Sequence, residues 1–139
     1  MGGINTASAK IIEIIDLSVR YGEILALDGI SLEVEQGDFV LVTGVSGCGK
    51  STLARVIAGL IPGTIPAEIS GRVRIDGLEC GQDMLPDLAG KVGIVFQNPV
   101  TQLFHLRVDE EVAFGPRNLG LEPGEVEARV AWAYSRNAP

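Results

Sequence analysis

The rhythm of apolar and polar positions changes several times along this chain, and each change marks an element. Residues 11–21 are an Ile- and Val-rich run ending at Tyr21-Gly22, which reads as a strand. Ile30, Leu32 and Val34 alternate with Ser31, Glu33 and Glu35, the period of a half-buried strand. Gln36-Gly37-Asp38 reads as a turn. Phe39 to Thr43 suits a short strand buried on both faces. A helix is predicted over 52–60, with Gly59 and then Pro62-Gly63 as stop signals. Val73 and Ile75 alternate with Arg72 and Arg74 between two glycines, a further strand. Residues 77–90 read as loop with a short helical turn, and Val92 to Phe96 as a second central strand. From Val108 the spacing turns helical, through Val112, Leu119, Val126, Val130, Ala133 and Tyr134, with a break expected at Gly115-Pro116. Pro123 suits the first turn of the last helix, and Glu125 and Arg129, four apart, form a supporting pair on it.

Between the Phe39–Thr43 run and the 52–60 helix lies the stretch with the clearest chemistry. Gly44-Val45-Ser46-Gly47-Cys48-Gly49-Lys50-Ser51-Thr52 fits the phosphate-binding loop pattern, two glycines five positions apart followed by Lys and Ser. Glycines let the backbone turn so that successive N–H groups face phosphate oxygens. The helix that starts there turns its positive dipole end to the same anion. Lys50 is placed to reach the β- and γ-phosphates, and the Ser51 hydroxyl to sit on Mg²⁺. A Lys and a Ser ending a Gly-rich turn gain little as core, so the reading is a nucleoside triphosphate site. Cys48 reads as a tolerated small residue without catalytic role.

Composition narrows the setting. The chain has 139 residues, one domain's worth, with 46% hydrophobic residues and a formal net charge of −7. No basic stripe is present to meet a nucleic acid, so no nucleic-acid partner is expected. No apolar run reaches the roughly 20 residues that span a bilayer. Cys48 and Cys80 form no metal-type spacing. Met1-Gly2 with Thr6 fits a loose myristoylation pattern, but no polybasic run follows, and residues 1–9 are read as a flexible leader.

The order of elements carries a further signal: two alternating strands precede the phosphate loop and a third follows its helix. This arrangement resembles the nucleotide-binding domain of ATP-binding cassette (ABC) transporters, over roughly residues 10–130. Val95-Phe96-Gln97-Asn98-Pro99 looks like the family's glutamine loop, and Tyr21 matches the position of its adenine-stacking aromatic residue. Gln102-Leu103-Phe104, followed by Val112-Ala113-Phe114-Gly115-Pro116, looks like the energy-coupling-factor branch, which imports vitamins or cobalt and nickel ions. Val100-Thr101 departs from that branch, which usually carries acidic residues there.

The resemblance implies an α/β fold, a P-loop NTPase-like (RecA-like) core with an ABC-type antiparallel β subdomain and the start of a helical subdomain. Its parts would be antiparallel elements at 11–36 and 71–77, a phosphate-loop unit at 37–63, a glutamine-loop strand at 91–99 and helical elements at 101–139. It implies ATP with Mg²⁺ as ligands, held by Gly44, Ser46, Gly47, Cys48, Gly49, Lys50, Ser51 and Thr52. Gln97 would join Ser51 on Mg²⁺ and sense the γ-phosphate. Tyr21 has two readings, stacking on adenine or packing at a strand edge. A second ATP-binding subunit, identical or not, and a transmembrane transporter subunit docking near residues 100–120 are the implied partners. They would place the chain in the cytoplasm, on the inner face of the membrane. Phe104 and Phe114 have two readings, contact surface or core. Trp132 reads as a buried or interface anchor.

Some family parts are not found in these 139 residues. There is no Leu-Ser-Gly-Gly-Gln-like signature run, and no apolar strand ends in Asp-Glu. Asp109-Glu110-Glu111 reads instead as favourable charge in the first turn of a helix. His105, the single histidine, is misplaced for the switch position. A truncated or incomplete coding sequence is therefore expected, along with negligible ATPase activity for the isolated chain. The competing reading is a non-catalytic nucleotide-binding fragment, in which Phe39–Thr43 keeps an open edge. A guanine-nucleotide switch would need an Asn-Lys-x-Asp run, and none is present.

Overall fold

The computed structural model describes residues 9–81 and 85–137, and residues 1–8 of the expected leader lie outside them. The chain divides into two compact units, Met1–Ile94 and Val95–Pro139. In the first, β1 (Lys10–Tyr21) and β2 (Ile24–Glu35) form an antiparallel hairpin. The helices α1 (Lys50–Ile57) and α2 (Leu60–Gly63) follow, and then β3 (Glu68–Ile75) and β4 (Leu78–Glu79). The sheet order is β2-β1-β3-β4, all neighbours antiparallel. A short helix, α3 (Leu85–Ala89), completes this unit.

Two matched irregularities let the hairpin bury one face. Ile14, Leu17 and Val19 are all buried, although a regular strand would put Ile14 and Leu17 on opposite faces. The register shifts between Ile14 and Leu17, where Asp16 takes a left-handed φ of 49°. The extra residue returns Leu17 and Val19 to the core side. β2 shifts in step, from Leu27 to Ile30, at Asp28-Gly29. Serine hydroxyls satisfy amides at these shifts. Ser31 Oγ accepts from Asp16 N–H at 3.0 Å and Ser18 Oγ from Gly29 N–H at 2.9 Å. Leu53 and Val56 of α1, with Val73, Ile75 and Leu88, close the core over this face.

The structure corrects several expectations. β2 starts at Ile24, six residues before the alternating segment, because the bulge hides its earlier alternation. The helix after the loop ends at Ile57, where Gly59 N–H bonds to the Val56 carbonyl. Phe39–Thr43 and Val92–Phe96 form no regular element and belong to no ladder among the described residues. A central strand needs neighbours on both edges, and the described strands pair only among themselves. Phe39 is consequently 93% exposed and Leu41 76%. An apolar groove of about 490 Å³ lined by Ile11, Ile12, Ile57, Ile75 and Val92 opens beside the Asp76–Lys91 ion pair.

The second unit is helical: a 3-10 turn at Pro99–Gln102, then α4 (Val108–Asn118) and α5 (Pro123–Asn137) packed together. α4 runs through Gly115-Pro116, where a break was expected. Pro116 lies in its last turn, and the chain is closed beyond it by Leu119 N–H to the Gly115 carbonyl and Leu121 N–H to the Pro116 carbonyl. Glu125 and Arg129 pair on α5 at 2.8 Å, as their spacing predicts. Trp132 is not buried: it is 63% exposed, with the Arg136 guanidinium 5.4 Å from its ring centre.

Candidate functional site

The loop 44–49 joins the exposed run after β2 to the first turn of α1. Gly49 is the N-terminal cap of α1 at φ 94°, a left-handed value that a side chain tolerates poorly. A Cβ there would lie 2.6 Å from the Ala26 carbonyl oxygen and 2.6 Å from Leu27 Cδ2. The glycine thus lets the loop lie directly on β2. The Leu53 N–H bonds to the Gly49 carbonyl at 2.9 Å and starts the helix.

Lys50 closes this turn. Its ammonium donates to the carbonyls of Gly44 and Val45, both at 2.8 Å, and lies 3.5 Å from Cys48 Sγ. Cys48 N–H bonds to the Val45 carbonyl at 3.3 Å, and Cys48 Sγ packs where a Cβ on Gly44 would sit. The cation is therefore fixed across the mouth of the loop by carbonyls rather than by a carboxylate. No acidic residue lies in the first turn of α1, so the helix dipole is not offset by charge within that turn. This donor set fits a polyanion such as a triphosphate. Ser51 is exposed in the first turn, and Thr52 is buried beneath it. Ser46 and Gly47 lie in the exposed arch of the loop.

Tyr21 ends β1 opposite Ile24 and packs, half-buried, against the core. Its hydroxyl is buried with no hydrogen-bond partner among the described residues. Gln97 is exposed at a bend that follows Val95-Phe96. It belongs to the second unit, whereas the phosphate loop and Tyr21 belong to the first. Ser51 and Gln97, the expected Mg²⁺ pair, thus come from different units. Among the described residues no group of three or more His, Cys, Asp or Glu is placed to hold a metal ion. Cys80 is half-buried, and burial pushes its thiol above the ordinary range.

The second unit holds an arrangement that sequence reasoning missed. Glu111 does not simply add charge to the start of α4. Its carboxylate accepts from Phe104 N–H at 2.9 Å and His105 N–H at 2.8 Å, with His105 Nδ1 at 3.2 Å. The His105 and Phe104 amides hold that carboxyl below its usual range. Arg107 grips Asp109 through two bonds, 3.0 and 2.7 Å, and lowers that carboxyl as well. Phe104 is 75% exposed and stacks on Phe114 with ring centres 5.2 Å apart, so it is surface and not core. Leu103, Leu106 and Val108 are exposed beside it in sequence.

Comparison with known proteins gives a consistent picture. The family described as ABC transporter matches residues 27–138. An ABC transporter ATP-binding protein of Pyrococcus horikoshii is 46% identical over 89% of this chain, which covers 44% of that protein. An energy-coupling factor transporter ATP-binding protein of Symbiobacterium thermophilum is 46% identical over 78% of this chain and 37% of its own length. Among solved structures, cbiO1 from Clostridium perfringens, part of the ABC transporter complex cbiONQ, superposes with a TM-score of 0.72 at 31% identity. That match covers 91% of this chain and 50% of the other. The chain thus spans half or less of the length of these relatives. The match to cassettes of this kind establishes the α/β ABC ATPase fold. Among the described residues no helix is long and apolar enough to cross a membrane.

Proposed function

This chain belongs to the ABC transporter family, and we propose that it is the N-terminal part of the ATP-binding subunit of an energy-coupling-factor importer that takes up a vitamin or a cobalt or nickel ion. The nucleotide-binding part of this reading rests on one observation: the 44–52 loop, with Lys50 fixed across its mouth and no acid in the first turn of α1. Similarity to the Symbiobacterium protein and to cbiO1 supports the branch, while most relatives carry the general ABC name.

In this reading the backbone of Gly44, Ser46, Gly47, Cys48 and Gly49 cradles the phosphates. Lys50 exchanges its two carbonyl partners for β- and γ-phosphate oxygens, Ser51 and Gln97 hold Mg²⁺, and Tyr21 stacks on adenine. ATP supplies the anhydride whose hydrolysis drives transport. A second ATP-binding subunit completes the site, and the apolar surface around Phe104 docks on the transmembrane subunit. Residues 1–9 would be leader and 10–139 the N-terminal part of the nucleotide-binding domain, with the glutamine-loop segment at 91–99 and the start of the helical portion at 101–139. The partner holds the chain on the cytoplasmic face.

A second reading is a nucleotide-binding fragment without catalysis. Thermal unfolding of the purified chain with and without Mg²⁺-ATP, beside Lys50→Ala, tests the shared premise. With ATP at about 100 times its dissociation constant, binding to the native state adds about 2.7 kcal/mol. A cooperative transition that rises with ATP only when Lys50 is present supports the cradle, and no response to ATP removes it. Turnover then separates the two readings. Lys50-dependent hydrolysis above about 1 s⁻¹ supports a catalytic chain, and its absence supports the fragment.

A further inference from the structure

Glu111 binds backward, outside its own helix. A carboxylate that only complements a helix start bonds to the N–H groups of that first turn. The Glu111 carboxylate instead reaches two consecutive amides before α4, Phe104 at 2.9 Å and His105 at 2.8 Å. The His105 ring adds a third contact at 3.2 Å. Asp109 is engaged by Arg107, so Glu111 alone among the three acids grips this loop in the described contacts. The tied segment carries a phenylalanine that is 75% exposed yet has a fixed ring partner, Phe114, at 5.2 Å and 28°. The His105 ring lies 5.6 Å from the same Phe114. A large apolar side chain held outward at both backbone and ring loses little freedom on burial by a partner.

We propose that Glu111 is a positioning residue whose carboxylate clamps the Phe104–His105 backbone and presents the Phe104 ring, backed by Phe114, as a preformed apolar anchor for the transmembrane partner. The use of the anchor rests on the docking reading above; the clamp does not. His105 faces the carboxylate directly. Arg107, Asp109 and Glu110 flank it along the chain, and Tyr134 of α5 bears on Arg107 only through a weak electrostatic interaction.

Amide hydrogen exchange and NMR on the full chain test the clamp, comparing the native protein with Glu111→Gln, Glu111→Ala and Asp109→Asn. In the native protein the Phe104 and His105 amides are protected and their shifts titrate together in acid. Glu111→Ala lowers protection at these two amides about tenfold or more, about 1.4 kcal/mol. Glu111→Gln, which keeps one carbonyl acceptor, falls between, and Asp109→Asn leaves both amides unchanged. Unchanged protection in Glu111→Ala overturns the proposal. So does a loss spread evenly along α4 and α5, which would make Glu111 a general stabiliser. Docking is measured separately against the solubilised membrane subunits of the Clostridium perfringens complex. Phe104→Ala and Glu111→Ala are each expected to weaken binding about tenfold. Failure of the native chain to bind counts against the docking reading, while the exchange result still decides the clamp.

Discussion

β1 and the run Phe39–Val42 are both β-type apolar segments, yet they end in opposite states. Leu17 and Val19 of β1 are fully buried, while Phe39 is 93% and Leu41 76% exposed. The difference lies in where each segment finds its partners. β1 alternates, needs one covered face, and meets β2 across a two-residue turn and β3 on its other edge. Phe39–Val42 is apolar on both faces and needs strands and layers that no described residue supplies. Local antiparallel pairing thus completes one region, while the run leading into the phosphate loop finds no strand partner among the described residues.

Truncating each region gives the sharpest contrast. Leu17→Ala is expected to cost about 2–5 kcal/mol, the range for a fully buried leucine. Leu41→Ala is expected to change stability by less than about 0.5 kcal/mol. Urea unfolding of the two variants measures both. Equal costs would mean that Phe39–Val42 is packed in solution and that the contrast between the regions is false.

The phosphate loop lies between these extremes, because it rests on the well-built hairpin although the run that enters it is uncovered. Gly49→Ala should separate the two dependences. Left-handed strain there costs on the order of 1–3 kcal/mol, and the overlap with the Ala26 carbonyl adds a displacement of the loop from β2. Loss of the ATP-induced rise in unfolding temperature is expected together with a lower baseline. Gly47→Ala has a similar φ of 82° but open space around it, so only the strain is expected, with a smaller loss of ATP response. If both variants keep the full response, the loop does not take its shape from the hairpin.

The parts legible in the sequence are those whose signals are local. The phosphate loop, β1 and the core of β3 follow from glycine spacing and from alternation over a few residues. The early half of β2 was hidden because the bulge at Asp28-Gly29 breaks its alternation. Phe39–Thr43 and Val92–Phe96 read as strands because their composition is that of strands, but composition supplies no neighbour. Gly115-Pro116 read as a break, yet α4 continues through it to Asn118, although Pro116 has no N–H to give to the turn before it. The Glu111 clamp was illegible for another reason. Three adjacent acids at a helix start give one expectation, charge against the dipole. Only coordinates show that Asp109 turns to Arg107 and Glu111 to the preceding loop. Phe104, left open between core and contact surface, is 75% exposed and so is not core.

The smallest effect, and the one that extends the comparison to the second unit, is acid sensitivity. Glu111 is held below its usual range first by the His105 amide, and Asp109 first by the Arg107 guanidinium. For carboxyls lowered in the folded state, the stabilisation is fully present above their unfolded values, about 4.3 for Glu and 3.9 for Asp. It is lost as pH falls from there through the lower folded values. Loosening is therefore expected only below about pH 4, and it should be modest because solvent and salt screen these groups. The apolar core under β1 has no proton to gain over that range. Two-dimensional NMR spectra followed downward in pH should show amides of the 104–111 segment shifting and broadening before those of β1. Glu111→Gln should flatten the Phe104 and His105 part of that response, since the amide side chain does not titrate. Simultaneous loss of the β1 and 104–111 signals would mean that the two regions do not differ in what holds them together.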